Sequence, residues 1–174
     1  SDDDGRTWKT ANLVRPDLSR LNEATVIERK DGSLGLNMRG HDLGFRALTA
    51  STDGGVTWSS PVLDRSLPCP TCQASILHLS GREAIFSNPA SNRRTNLTVR
   101  WSDDEGRTWR YSRVLNAGPS GYSDLAITKD ARLLCLYECG TKAYNEKITI
   151  ARFDRQWLLQ GRPPHPTQPS DGSR

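Results

Sequence analysis

One eight-residue phrase occurs three times in the sequence and constrains the fold more than any other feature. It reads SDDDGRTW at residues 1–8, STDGGVTW at residues 51–58 and SDDEGRTW at residues 102–109. The phrases therefore begin 50 and 51 residues apart. A period near 50 is typical of propellers and related arrays, in which each period forms one small sheet. The sequence predicts a repeated architecture of this kind.

The residue types of the phrase explain how it can recur as a local structure. Its third residue is always Asp, whose side chain can accept hydrogen bonds from the backbone N–H groups of its own turn. Its fifth residue is Gly, which adopts positive φ without strain, and its eighth is Trp, which can pack an apolar ring under the turn. The phrase predicts a hairpin staple, known as an Asp box, with a structural role.

Runs of β-type residues between the Asp boxes predict about four strands per period. The clearest turn is Lys-Asp-Gly-Ser at residues 30–33, because Asp-Gly favours a tight hairpin. No segment has the periodicity of an amphipathic helix. The predicted strands are residues 9–14, 23–28, 34–39, 45–50, 62–64, 73–79, 84–87, 96–101, 109–115, 123–128, 132–138 and 147–153.

The two ends of the sequence carry separate expectations. From Gly161 onward the composition shifts to Pro, Gly, Ser and Gln, which cannot bury a core. Residues 1–160 are therefore predicted to form a partial all-β propeller of about three blades, and residues 161–174 a flexible tail. Because the sequence opens inside an Asp box, without the strand that should precede it, we expect it to belong to a longer protein.

Composition and charge exclude several classes of function. Hydrophobic residues make up 34% of the chain, and no run of 18 apolar residues is present, so no membrane span is predicted. The net charge of +4 comes from scattered Lys and Arg residues rather than from a basic run, which disfavours nucleic acid as a partner.

Four cysteines leave three interpretations open. Cys69 and Cys72 have the spacing of a zinc knuckle, and Cys135 with Cys139 would complete a set of four ligands. Disulfides and free packed thiols are the alternatives. Alternation along the predicted strand 132–138 places Cys135, Tyr137 and Cys139 on one face, which favours packed thiols. We expect neither a metal nor an organic cofactor.

Three stretches depart from a purely structural repeat. Glu23 opens a predicted strand, and Arg39 ends the next one. Arg94 lies in the long connector before the strand at residues 96–101, and Tyr122 lies in a Gly-Pro-Ser-Gly-Tyr turn. In a propeller, such positions converge at one face. Arginines there can hold a carboxylate through bidentate, charge-assisted hydrogen bonds.

With the Asp boxes, three further phrases resemble exo-α-sialidases (neuraminidases) of the bacterial and lysosomal type, glycoside hydrolase family 33. These phrases are FSNPA at residues 86–90, NLTVRWS at residues 96–102 and GPSGY at residues 118–122. The resemblance runs from residue 1 to about residue 153. It implies the C-terminal half of a six-bladed sialidase β-propeller, in a secreted, periplasmic or lysosomal setting.

The resemblance also implies roles for individual residues. Tyr122 corresponds to the nucleophile, and Glu23 to its general base. Arg39 and Arg94 correspond to the second and third members of an arginine triad that binds the substrate carboxylate, with Arg94 matching better than Arg93.

Supporting positions follow in the same way. Glu138 corresponds to a carboxylate that orients the first triad arginine, and Arg46 and Gln73 occupy positions behind the site. The first triad arginine and the acid/base Asp have no counterpart in these 174 residues, so we expect this segment alone to be inactive.

The implied activity is retaining hydrolysis of terminal sialic acids from glycoproteins, glycolipids or oligosaccharides. Two alternatives remain open at this point. One is a trans-sialidase built on the same site, and the other is a non-catalytic Asp-box propeller that binds glycans or proteins.

Overall fold

The computed structural model describes residues 1, 3–10 and 20–161. Over these residues the chain forms ten strands and one short helix. They are β1 Leu21–Glu28, β2 Leu34–Gly40, β3 Phe45–Ser51, β4 Val62–Pro68, β5 Ser75–His78, β6 Ala84–Pro89, β7 Thr95–Ser102, β8 Tyr111–Ile127, β9 Leu133–Cys139, β10 Lys147–Phe153 and α1 Arg155–Leu159.

The strands form antiparallel meanders that repeat along the chain. One sheet has the order β1-β2-β3-β4, and a second has the order β10-β9-β8-β7-β6-β5. Strand β8 is 17 residues long and serves twice, because its first half pairs with β7 and its second half with β9. It is thus the outer strand of the second meander and the inner strand of the third. This arrangement is consistent with the predicted count of about three blades.

Most predicted strands from residue 23 onward are recovered with shifts of a few residues at their ends. The predicted turn at residues 118–122 is wrong, because the predicted strands 109–115 and 123–128 form the single strand β8, whose two halves pair with different neighbours. The predicted strand at residues 9–14 is not recovered. Lys9 and Thr10 lie outside any strand, and residues 11–14 fall outside the described residues. The predicted tail, apart from Gly161, also lies outside them.

The expectation of an entirely helix-free chain is wrong, because α1 follows β10. Asp154 caps this helix by accepting a hydrogen bond from the backbone N–H of Trp157 at 2.8 Å. Trp157 packs against Phe153, and Leu158 is fully buried. With five residues, α1 is too short to produce a recognisable helical period in the sequence.

Apolar side chains fill the space between successive meanders. The first two meanders meet at Leu67, Ala74, Phe86 and Trp109. The larger second cluster joins the second and third meanders. Its buried members are Ile85, Leu97, Val99, Trp101, Leu125, Leu133, Cys135, Tyr137, Cys139, Phe153 and Leu158.

The cysteines are buried as free thiols. Cys135 and Cys139 share one face of β9 with Tyr137, as alternation predicts, and this face packs into the second cluster. Burial raises the pKa of the Cys135 thiol to about 12, which keeps it protonated at neutral pH. Over the described residues, no three His, Cys, Asp or Glu side chains converge on a metal position.

The Asp boxes form closed hydrogen-bond networks. In the second box, the two carboxylate oxygens of Asp53 accept from the backbone N–H and the hydroxyl of Thr57 at 2.8 and 2.5 Å. The backbone N–H of Gly55, at φ +90°, donates to the Ser51 hydroxyl at 2.9 Å. The first and third boxes repeat these bonds.

The Trp residues of the boxes differ in burial. Trp109 is 5% exposed and packs against Phe86, as predicted for a ring beneath the turn. Trp8 is 79% exposed, so in the first box the ring covers Gly5 but does not enter a core. The predicted position of the ring beneath the turn is therefore found in the first box too, where the Trp8 indole N–H donates to the Gly5 carbonyl oxygen at 3.1 Å, whereas the further apolar partner of Trp109 comes from tertiary contacts.

Hydrogen bonds from Thr57, first its hydroxyl and then its backbone N–H, lower the pKa of Asp53 to about 2. Because this value lies below the unfolded value of about 3.9, the ionised group stabilises the fold above about pH 4, and this contribution is lost as pH falls towards 2. We expect Thr57→Val to raise the pKa of Asp53 and flatten this acid dependence. Urea unfolding of the chain between pH 2 and pH 6 measures it.

Thr52→Val is the matched control, because Thr52 is an exposed residue of the same box. Equal acid dependence in the Thr57 and Thr52 variants would contradict this account.

Candidate active site

Four of the residues singled out in the sequence meet at one edge of the sheets. Glu23 lies near the start of β1, Arg39 near the end of β2, and Arg94 directly before β7, while Tyr122 lies inside the long strand β8. The Asp boxes follow the opposite ends of β3 and β7. A strand of seven or eight residues separates the two ends by roughly 20 Å, so the boxes are remote from this edge.

A β-bulge turns Glu23 out of its strand. The register of β1 against β2 shifts between Asn22 and Ala24, and Glu23 has φ +35°. Positive φ is unfavourable for a residue with a side chain, and such strain concentrates at functional sites. The bulge aims the Glu23 carboxylate at Tyr122, whose hydroxyl donates a hydrogen bond to Oε1 at 2.8 Å.

Arg39 completes a triangle with these two side chains. Its Nη1 lies 2.7 Å from Oε2 of Glu23 and donates to the Tyr122 hydroxyl at 3.3 Å. Its Nε donates to the Asn22 side chain at 2.7 Å, across the strand pair in which the two residues are directly opposite. The Arg39 side chain is 13% exposed and that of Glu23 33%, so the ion pair faces a partly solvated cleft.

The surroundings raise the pKa of Tyr122. Burial is the largest cause, and the hydrogen bond and negative charge of Glu23 act in the same direction. The positive charges of Arg39 and Arg94 oppose this shift. At neutral pH the phenol therefore keeps its proton and presents it to Glu23, which is the geometry of a hydroxyl group beside a general base.

Arg94 lies against the face of the tyrosine. Its guanidinium carbon is 5.3 Å from the centre of the Tyr122 ring and 4.4 Å from that of Tyr144. Its Nη2 donates to the carbonyl oxygen of Thr71 at 3.2 Å. Arg93 instead is exposed, and its carbonyl oxygen accepts from Ser91.

The backbone around Tyr122 is held by the two polar residues predicted to support the site. Glu138 Oε2 accepts the backbone N–H of Tyr122 at 3.0 Å, and Gln73 Oε1 accepts that of Ser123 at 3.1 Å. A Cβ at Gly121 would collide with the Glu138 carboxylate and with the ring of Tyr144. Glycine is therefore required directly before Tyr122.

Arg46 lies behind the site and is fully buried. Its Nε donates to Asn37 Oδ1 at 2.6 Å, and its Nη1 donates to the carbonyl oxygen of Cys72 at 2.8 Å. Burial lowers the pKa of Arg46, and these bonds compensate for the loss of water. Arg46 thus fixes the loop from Cys69 to Cys72, whose Thr71 carbonyl oxygen holds Arg94.

A cavity of about 390 Å³ opens beside Tyr122. Polar and apolar side chains share its wall, which Tyr122 joins but Glu23, Arg39 and Arg94 do not. The lining residues are Gln73, Tyr122, Ser123, Asp124, Leu136, Tyr137, Glu138 and Ile148.

Two contributors to the site were missed in the sequence. Thr71 acts through its backbone carbonyl oxygen, which any residue possesses, and its φ of +52° is not marked by Gly or Asn. Tyr144 lies in the loop between β9 and β10, outside the phrases that repeat or resemble sialidases. Neither position carries a sequence pattern that identifies it.

Comparison with known proteins places this geometry in a family. A profile described as "BNR repeat-like domain" matches residues 1–135. The chain belongs to that family. A sialidase of Micromonospora viridifaciens is 36% identical over 169 residues, which cover 91% of this chain and 25% of the relative.

Solved structures give the same result. The Hadza microbial sialidase Hz136 is 34% identical, with a TM-score of 0.78 over 91% of this chain and 32% of that chain. The intramolecular trans-sialidase of Ruminococcus gnavus is 26% identical, with a TM-score of 0.77 over 91% of this chain and 37% of that chain. These matches confirm the predicted resemblance to sialidases and the sialidase-type β-propeller fold. The chain spans a quarter to about a third of the length of these proteins.

No helix among the described residues is long and apolar enough to cross a membrane.

Replacing Glu23 by Gln should lower the pKa of Tyr122, because it removes the negative charge that disfavours the phenolate and weakens the acceptor of the phenol proton. Titration of ¹³C-labelled tyrosine by NMR measures this pKa, with Tyr122→Phe identifying the resonance. Glu28→Gln, on the same strand, is the control and should leave the titration unchanged. An unchanged Tyr122 pKa in Glu23→Gln would contradict the described contact.

Gly121→Ala should destabilise the fold by about 1–3 kcal/mol, because the added methyl group has no space beside Glu138 and Tyr144. Urea unfolding of the chain measures the change in the free energy of unfolding. Gly118→Ala is the matched control, since the nearest atom to its Cβ, the Gly140 carbonyl oxygen, is 3.7 Å away. Equal stabilities of the two variants would show that the space around Gly121 is not restricted.

Proposed function

We propose that the complete protein is a retaining exo-α-sialidase that releases terminal sialic acids from glycoconjugates, with Tyr122 as nucleophile and Glu23 as its general base. The observation that carries the proposal is the 2.8 Å hydrogen bond from the Tyr122 hydroxyl to Glu23, beside two arginines. The resemblance to sialidases supports the choice of substrate.

The charge of the substrate accounts for the choice of a phenol. A sialoside carries a carboxylate on its anomeric carbon, and a carboxylate nucleophile at about 4 Å would be repelled by roughly 4 kcal/mol at an effective dielectric constant of about 20. A neutral tyrosine avoids this repulsion, and sialidases are the known tyrosine exception among glycosidases. Because the phenol is a weak nucleophile, it needs a base within hydrogen-bond reach.

The proposed reaction has two displacement steps. In the first, Tyr122 Oη attacks the anomeric carbon as Glu23 accepts its proton, and the bond from that carbon to the leaving oxygen breaks. The leaving oxygen takes a proton from an acid that these residues do not supply. In the second, water displaces Tyr122: the acid that was deprotonated in the first step takes a proton from the attacking water, and the Tyr122 oxygen regains its proton from Glu23. Two inversions at the anomeric carbon give net retention.

Arg39 and Arg94 are proposed to bind the substrate carboxylate. The Arg39 guanidinium already forms an ion pair with Glu23, so the substrate carboxylate shares this guanidinium with the Glu23 carboxylate. Arg94 is anchored at one nitrogen by Thr71, and the remaining N–H groups of its fork can hold a carboxylate. The first triad arginine and the acid/base Asp are proposed to come from a part of the complete protein outside this sequence.

A trans-sialidase is a second candidate, because the similar Ruminococcus gnavus structure is named an intramolecular trans-sialidase. The first displacement would be the same, and the second would use a sugar hydroxyl in place of water. Product analysis separates the two: free sialic acid indicates hydrolysis, and an anhydro or transferred product indicates transfer.

In the complete protein, Tyr122→Phe should reduce the turnover of a fluorogenic sialoside by more than Glu23→Gln does, and loss of the base alone is expected to cost about 10²- to 10⁴-fold in kcat. Tyr111→Phe is the control, because Tyr111 packs on Trp101 in the outer part of β8. Circular dichroism checks folding. Full activity of a folded Tyr122→Phe variant would rule out the nucleophile, and a wild-type protein that binds sialosides without cleaving them would identify a non-catalytic propeller.

A further inference from the structure

We propose that Tyr144 is a positioning residue that fixes the guanidinium of Arg94 in the orientation needed to bind a carboxylate. The kinetic part of this inference rests on the sialidase function proposed above. The structural part concerns the contact between the Tyr144 ring and the Arg94 guanidinium, which can be tested without measuring enzymatic activity.

The geometry places Tyr144 closer to Arg94 than Tyr122 is. The guanidinium carbon lies 4.4 Å from the centre of the Tyr144 ring and 5.3 Å from that of Tyr122. Both distances are within the range of cation–π attraction. Arg94 therefore lies against two aromatic rings, and the nearer one belongs to a residue with no other assigned role.

The Tyr144 ring is itself held in place. It packs against Gly121, where any Cβ would collide with it. Its loop is closed by the Glu146 carboxylate, which accepts the backbone N–H groups of Thr141, Lys142 and Ala143 at 2.8 Å each. These bonds, first that from Thr141, lower the pKa of Glu146. The loop is thus a preformed support for the ring.

This support matters because Arg94 is otherwise weakly constrained. The one hydrogen bond of its side chain among the described residues is the 3.2 Å contact to the Thr71 carbonyl oxygen, and a long side chain with one anchor retains several rotamers. A ring on the guanidinium face leaves the edge N–H groups available, and these are the groups that form bidentate bonds to a carboxylate. If the Arg94 guanidinium is fixed before the ligand binds, less conformational entropy of this side chain is lost on binding.

A double-mutant cycle in the complete protein tests the kinetic part. We expect Tyr144→Leu to raise KM for a fluorogenic sialoside about three- to tenfold with a smaller change in kcat, and Tyr144→Phe to retain the wild-type KM because the ring remains. Lys142→Ala, in the same loop, is the control. If Tyr144 acts through Arg94, the Arg94→Met/Tyr144→Leu variant has the KM of Arg94→Met alone; additive effects would overturn the proposal.

NMR of the arginine side chains tests the contact independently of activity. The ring over Arg94 should shift its Nε–H resonance upfield, with Arg94→Met giving the assignment. This shift should persist in Tyr144→Phe and Lys142→Ala and be reduced in Tyr144→Leu, where only the more distant ring of Tyr122 remains. If the wild type hydrolyses no sialoside but shows this pattern, the proposed function fails and the positioning contact stands. If the resonance is the same in folded Tyr144→Leu, the positioning role is wrong whatever the activity.

Discussion

The burial of one apolar face of each meander against the next determines the rest of the structure. Phe86 packs on Trp109 with ring centres 5.3 Å apart, and the face of β9 that carries Cys135 and Tyr137 packs on the second meander. Burying such side chains contributes about 1.5–3 kcal/mol each. Because the stacked meanders repeat the same strand order, equivalent strand ends lie side by side, and residues 50 to 100 positions apart meet at one edge.

Three of the seven non-glycine residues with positive φ among the described residues lie in the segments that form this edge. Glu23 has φ +35°, Thr71 +52° and Asn96 +57°, and each lies in or next to a segment that carries a site residue. Two arginines are buried nearby: Arg46 donates to Asn37, and Arg100 donates to Asn88 Oδ1 at 2.7 Å, with burial lowering the pKa of Arg100 to about 10. These hydrogen bonds compensate the buried guanidinium groups for the loss of water.

The site places charges of opposite sign around the Tyr122 hydroxyl, and their effects on the pKa of that hydroxyl oppose one another. Burial is the largest cause that raises the pKa of Tyr122, and Glu23 raises it further. The positive charges of Arg39 and Arg94 lower this pKa. The carboxylate can therefore accept a proton from the phenol while the arginines limit the charge that builds up there. Tyr144 extends this arrangement, because its ring lies 4.4 Å from the Arg94 guanidinium and so brings the loop between β9 and β10 to the site.

The sequence by itself determined the period, most of the strands and the resemblance to sialidases. The Asp boxes encode their own hydrogen bonds within eight residues, and the phrases around Arg94 and Tyr122 resemble those of sialidases. Tertiary structure decided the rest: the burial of Trp109 against Phe86, the short helix after Asp154, the bulge at Glu23, and the contact of Tyr144 with Arg94. The physical reason is the distance along the chain over which each feature is specified. A turn is specified by neighbours in the chain, whereas a contact between residues 50 positions apart depends on how whole sheets pack and leaves no pattern in either segment.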